Sequence, residues 1–148
     1  MIYLDTSFLT PLFRNEAASA KVADFLSRQA AGTLAVSKWA PVEFASLTSR
    51  DVRMGVLTAG QGRRLIAEFE SMIATSLIAL IPSANDFDLA QEYVSNFATQ
   101  LRGPDALHLA VAHNNGVEFV ATLDNGMLSA AKKLMVPARR VIRQTDLP

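Results

Sequence analysis

Short apolar runs alternate with longer helix-forming stretches along this chain, and no other feature constrains its fold as tightly. Ile2-Tyr3-Leu4, Leu34-Ala35-Val36, Leu77–Ile81 and Glu118–Thr122 are such runs. Runs this short suit strands buried on both faces of a parallel sheet. The alternation predicts an α/β fold: a central, mostly parallel sheet of four to five strands with helices on both faces. A last edge strand is expected at Arg140–Ile142.

The intervening stretches carry helix signals. Ser7–Phe13 reads as one short helix, provided Pro11 lies in its first turn. Over Ala17–Ala31, Val22, Phe25 and Leu26 form an apolar stripe while Lys21, Asp24 and Arg28 face outward, and Gly32 stops the helix. Pro41 opens a helix to about Arg53. Gly55 breaks the pattern, and Thr58 or Gly60 begins the next helix, to about Ala74. Ser83 with Asp86 marks a capping box for a helix to about Thr99. Gly103-Pro104 opens another to Asn114, and Gly126–Leu134 is the last.

At 148 residues the chain is read as a single domain, 1–148. Half of its residues are hydrophobic and 19% are charged, which supports a sizeable core and argues against disorder. Formal net charge is zero, so any nucleic-acid binding must come from local patches. Cysteine is absent, which excludes disulfides and thiolate metal sites and fits a reducing cytoplasm. The opening MIYLD has no basic run and is not expected to be a signal peptide. The longest apolar run, around Met72–Ile81, is too short to span a membrane, so no membrane partner is expected.

Four carboxylates fall at chain reversals. Asp5 ends the first strand, Glu43 lies in the first turn after Pro41, Asp105 follows Pro104, and Asp124 follows the fourth strand. Each has an ordinary structural reading. Asp5 and Asp124 suit helix N-caps, and Glu43 and Asp105 are favoured by the helix dipole. As a set they have another reading, because all four come on the side where ligands of open α/β sheets bind. Four like charges share a crevice only when cations neutralise them. That points to Mg²⁺ or Mn²⁺ and to phosphate chemistry. Thr6, Ser7 and Thr122 are placed to orient a carboxylate or a metal-held water.

These residues resemble the PIN-domain ribonucleases of the VapC type, the toxin halves of bacterial toxin–antitoxin pairs. The resemblance covers almost the whole chain: IYLDTSFLTPLF matches the family's opening segment, SKWAPVEFASLTSR the segment of its second acid, LRGPDALHLAVA the third and FVATLDNGML the fourth. It implies a PIN-like three-layer fold. It makes Asp5, Glu43, Asp105 and Asp124 the catalytic, metal-holding acids, with Thr6 or Ser7 and Thr122 as their polar support. The implied activity is Mg²⁺- or Mn²⁺-dependent cleavage of RNA by an activated water, leaving a 5′-phosphate and a 3′-hydroxyl. The implied partners are a cognate antitoxin protein and a second copy of the chain. Gly126 departs from the pattern, standing where a bulkier polar residue is expected.

Other residues are weighed against plainer roles. His108, amid Leu107, Leu109 and Ala110, reads as a packed, hydrogen-bonded structural residue rather than a catalytic base, and His113 as a helix C-terminal dipole partner. Arg14, Lys38 and Arg102 lie near the same chain reversals and are candidates for RNA backbone contact. Trp39 reads as a buried or half-buried anchor. Leu65, Ile66, Phe69, Met72 and Ile73 are first of all core.

A non-catalytic PIN-like module that binds RNA or protein is the main alternative, and the intact set of acids speaks against it. A haloacid-dehalogenase-like phosphatase needs a second Asp two residues after the first, where this chain has Ser7. The absence of any GxxxxGK motif excludes phosphate-loop hydrolases.

Overall fold

The computed structural model of the chain describes residues 1–14 and 16–142. Five strands form one sheet: β1 (Ile2–Leu4), β2 (Leu34–Ser37), β3 (Ile78–Leu80), β4 (Phe119–Ala121) and β5 (Ala138–Arg139). Their order is β3-β2-β1-β4-β5, and every pairing is parallel. The α/β expectation therefore holds. The chain winds outward from β1 through β2 to β3, then crosses to β4 and β5. The order reverses between β1 and β4, and that switch point is where an open sheet forms its ligand crevice.

Alternation of side chains divides the core in two. Leu4, Val36, Phe119 and Ala121 pack on one face with Phe8, Val22, Phe44, Phe69 and Ile73. Tyr3 and Val120 pack on the other with Leu109, Ala110, Met127 and Ala131. The first face is covered by α1 (Thr6–Leu9), α2 (Pro11–Arg14), α3 (Ser19–Ser27), α4 (Ala40–Arg53) and α5 (Ala59–Ser76). The second is covered by α6 (Ala84–Ser95), α7 (Gly103–Asn114) and α8 (Asn125–Leu134). In the first core Phe44 stacks on Phe69 at 4.2 Å between centroids, with Phe13 edge-on to both. Within the α5 stripe Phe69 and Ile73 are fully buried, while Leu65, Ile66 and Met72 are partly buried against them.

Several boundaries differ from expectation. The single helix expected over Ser7–Phe13 is two helices, because Pro11 lacks an N–H and must start a new one. The helix expected over Ala17–Ala31 is regular only over Ser19–Ser27. The helix expected to reach Thr99 stops at Ser95, and a 3-10 turn, Phe97–Thr99, follows. The last strand is Ala138–Arg139 rather than Arg140–Ile142. Its register is set by Val120 N donating to Pro137 O (2.9 Å) and Thr122 N to Arg139 O (3.2 Å), while Arg140 uses its guanidinium on Leu123 O and Asn125 Oδ1. The expected capping box of Ser83 with Asp86 opens α6, and α5 starts after Thr58 rather than Gly60, with Thr58 and Gln61 forming a capping box of their own. No described helix is long and apolar enough to cross a membrane.

Candidate active site

At the switch point Asp5 N donates to Ala121 O across the β1–β4 pair (3.2 Å), so the first acid sits against the end of β4. Asp5 is only 2% exposed. Its Oδ1 accepts from Phe8 N (2.9 Å), which makes Asp5 the N-cap of α1. Ser7 Oγ donates to Asp5 Oδ2 (2.8 Å), and Thr122 Oγ1 donates to the same oxygen (2.8 Å). Ser7 Oγ in turn accepts from Leu123 N (3.1 Å), and Thr122 Oγ1 from Asp124 N (3.0 Å). One polar web thus ties the ends of both central strands to Asp5. Burial pushes the Asp5 carboxyl up to about 6, against the pull of His108, Ser7, Thr122 and the Phe8 amide.

Glu43 reaches the same place from the first turn of α4. Thr6 Oγ1 donates to its Oε2, and His108 Nε2 lies 2.5 Å from the same oxygen. Burial works to raise its pKa, but His108 and Thr6 outweigh it and hold Glu43 below its ordinary value. The Trp39 indole adds a weaker pull in the same direction, although its Nε1 closes no hydrogen bond and is buried without a partner.

Asp105 stands in the first turn of α7 with Arg102 Nε 3.7 Å from its Oδ2. Burial raises its pKa, and the charge of Asp124 raises it further; Arg102 opposes both. Asp124 caps α8 by accepting from Met127 N (2.9 Å). A Cβ at position 126 would lie 3.0 Å from Asp124 Oδ1, so Gly126 leaves this carboxylate its room.

All four acids line one cleft of about 540 Å³, together with Thr6, Ser7, Trp39, Arg102 and His108. They ring it without closing on a point: among the described residues no three Asp, Glu or His side chains form a ready-made ligand cluster. Hard oxygen donors spaced around a cleft suit a cation that keeps much of its own water and takes one or two carboxylates, which is how Mg²⁺ is usually held.

The structure redistributes the other candidates. Thr122 is buried behind Asp5. Arg102 lines the cleft. Lys38, exposed just beyond β2, does not line it. Arg14 points elsewhere, because the buried Asp51 binds its guanidinium at 2.6 Å in a separate depression with Phe13 and Leu57. Trp39 is half-buried, as an anchor should be. His108 is buried and hydrogen-bonded, as expected, but its partner is one of the acids. The signal for this was its spacing. His108 follows Asp105 by three residues on one helix, which puts both on the same face.

A sequence profile described as the PIN domain matches residues 2–133. Among solved structures the chain is similar to VapC20 of Mycobacterium tuberculosis, a sarcin-ricin loop cleaving toxin. The identity is 18% and the TM-score 0.72, over 88% of this chain and 95% of that one. It is similar also to VapBC-1 from nontypeable Haemophilus influenzae, at 16% identity and a TM-score of 0.67, over 94% of this chain and 97% of the other. FitAcB from Neisseria gonorrhoeae aligns at 19% identity and a TM-score of 0.60, over 93% and 96%. At these identities the likeness is one of fold. No curated protein matches significantly.

Proposed function

Because this chain belongs to the PIN domain family, we propose that it is a metal-dependent endoribonuclease of the VapC type, the toxin of a toxin–antitoxin pair. The observation that carries this reading is the meeting of Asp5, Glu43, Asp105 and Asp124 around one cleft at the sheet's switch point. Mg²⁺ or Mn²⁺ bound among these carboxylates would supply charge neutralisation at the phosphate and an activated water.

The chain's own residues have distinct parts in this. Ser7 and Thr122 fix the orientation of Asp5, and Thr6 and His108 that of Glu43. Asp105 and Asp124 complete the acidic lining. Arg102, largely exposed beside Asp105, is placed to meet an RNA phosphate next to the reacting one. Lys38 remains a candidate for a more distant backbone contact, whereas Arg14 is held by Asp51. The likeness to VapC20 and VapBC-1 supports RNA as the substrate and a separate antitoxin chain as the partner. A homodimer and a cytoplasmic setting belong to the same reading.

The test is cleavage of structured and single-stranded RNAs with Mg²⁺, Mn²⁺ or EDTA, beside Asp5→Asn. Cleavage that requires both the metal and Asp5 is the expected result. Cleavage that persists in EDTA or in the variant overturns the mechanism. If well-folded protein cleaves nothing and binds no divalent cation, the non-catalytic RNA- or protein-binding module becomes the better reading.

A further inference from the structure

His108 lies inside the molecule, 1% exposed, on a helix whose neighbouring positions are almost wholly apolar. A buried imidazole there needs polar partners on both nitrogens, and it has them. Nδ1 is 2.6 Å from the hydroxyl of Tyr3, which is itself completely buried in β1. Nε2 is 2.5 Å from Glu43 Oε2 and 3.3 Å from Thr6 Oγ1. An ionised carboxylate only accepts, so the proton of the Glu43 contact belongs to Nε2. On its other side Nδ1 shares a hydrogen bond with the Tyr3 hydroxyl. The result is a hydrogen-bonded chain, Tyr3–His108–Glu43, running from the central strand to the rim of the cleft.

Its geometry has a consequence for Glu43. Both His108 and Thr6 converge on Oε2, while Oε1 has no hydrogen-bond partner among the described residues. The carboxylate is held by one oxygen and leaves the other uncommitted. Glu43 is on a long, rotatable side chain, so without this hold it would sample several rotamers and pay entropy on meeting a cation.

We propose that His108 is the positioning residue of this site: fixed by Tyr3, it holds Glu43 by Oε2 so that Oε1 stays available to a divalent cation in the cleft. The inference rests on the metal-dependent reading above and deepens it. Such outer partners of ligating groups typically change metal affinity by about 10–100-fold when removed.

The experiment is calorimetric titration of Mn²⁺ into metal-free, full-length protein, with circular dichroism to check folding. His108→Leu keeps bulk and removes both contacts. It is expected to weaken Mn²⁺ binding by about tenfold or more. His108→Gln, which keeps an amide donor near the Nε2 position, should recover most of the affinity. Tyr3→Phe keeps the ring beside His108 (5.8 Å between centroids) and removes only the hydroxyl. It should fall between wild type and His108→Leu. In a Glu43→Gln background His108→Leu should cost nothing further, since it acts through Glu43.

Folded His108→Leu that binds Mn²⁺ as tightly as wild type overturns the proposal. So does His108→Gln that binds as weakly as His108→Leu while Tyr3→Phe binds normally, because that pattern belongs to packing alone. If His108→Leu does not fold, the Gln and Phe variants decide. Wild-type protein that binds no Mn²⁺ overturns the metal-dependent reading itself, an outcome distinct from equal binding by wild type and variant.

Discussion

Thr122 Oγ1 donates to Asp5 Oδ2 at 2.8 Å, joining the ends of β4 and β1 across 117 positions of sequence. This bond favours the ionised form of a carboxyl that burial, even against it, pushes up to about 6. Thr122→Val keeps the shape and removes the donor. The Asp5 pKa should rise further, and metal-dependent cleavage should need a higher pH. A pH–rate profile with its acid limb unchanged would show that Thr122 does not tune Asp5.

The raised pKa of Asp5 has a definite sign in stability. The folded state holds this proton more tightly than the unfolded chain, whose ordinary value is 3.8. The resulting stabilisation is fully present below about pH 4 and is lost as pH rises towards 6. The difference corresponds to about 3 kcal/mol at about 1.4 kcal/mol per pH unit. Glu43, lowered from 4.5, acts oppositely, and its contribution is lost as pH falls through its folded value. Melting temperatures of metal-free protein should therefore decline between pH 4.5 and 6, and Asp5→Asn should flatten that slope.

Asp105 is raised by its burial and by the charges of Asp124 and Glu43. Asp105→Asn removes one charge from a crowded cleft. In EDTA the variant should melt above wild type, and in Mg²⁺ it should not cleave RNA. A variant less stable than wild type in EDTA would mean that the Asp105 carboxylate is held by favourable contacts that outweigh the repulsion.

Helices α4 and α5 cross closely at Gly62. A Cβ there would meet Val52 Cγ2 at 2.9 Å and Thr48 Cγ2 at 3.3 Å. Gly62→Ala should destabilise the fold by about 1–3 kcal/mol, as overpacking of a tight core does. Chemical denaturation measures this. An unchanged midpoint would show that the two helices separate freely.

The fold was legible because its strands are short, apolar and each followed by a helix signal. The period-two division of Tyr3 from Leu4 and of Val120 from its neighbours then assigns the two cores. The ends of elements were less legible. Ser95 ends α6 through local backbone geometry that composition does not announce, and β5 is placed by Pro137 and Arg139 pairing with β4, a tertiary fact. The same distinction runs through the site. The four acids could be read because chain reversals in an α/β sheet face one crevice. Arg14 could not, since its fate depends on Asp51 on another helix. The apolar neighbours of His108 announce its burial, and only its three-residue spacing from Asp105 hints that it turns toward the acids, without saying that Glu43 is the one it meets.

β1 is only three residues long, and Asp5 follows two completely buried residues with no loop between. Its amide is locked to Ala121 O, and its carboxylate starts a helix. Loops normally insulate a site from its scaffold, letting one breathe while the other stays shut. Here that insulation is missing. The Asp5 amide should exchange with solvent on the timescale of the slowest-opening core amides, and an insertion between Leu4 and Asp5 would be felt by sheet and cleft alike. Displacing the first acid should therefore disturb the sheet along with the cleft.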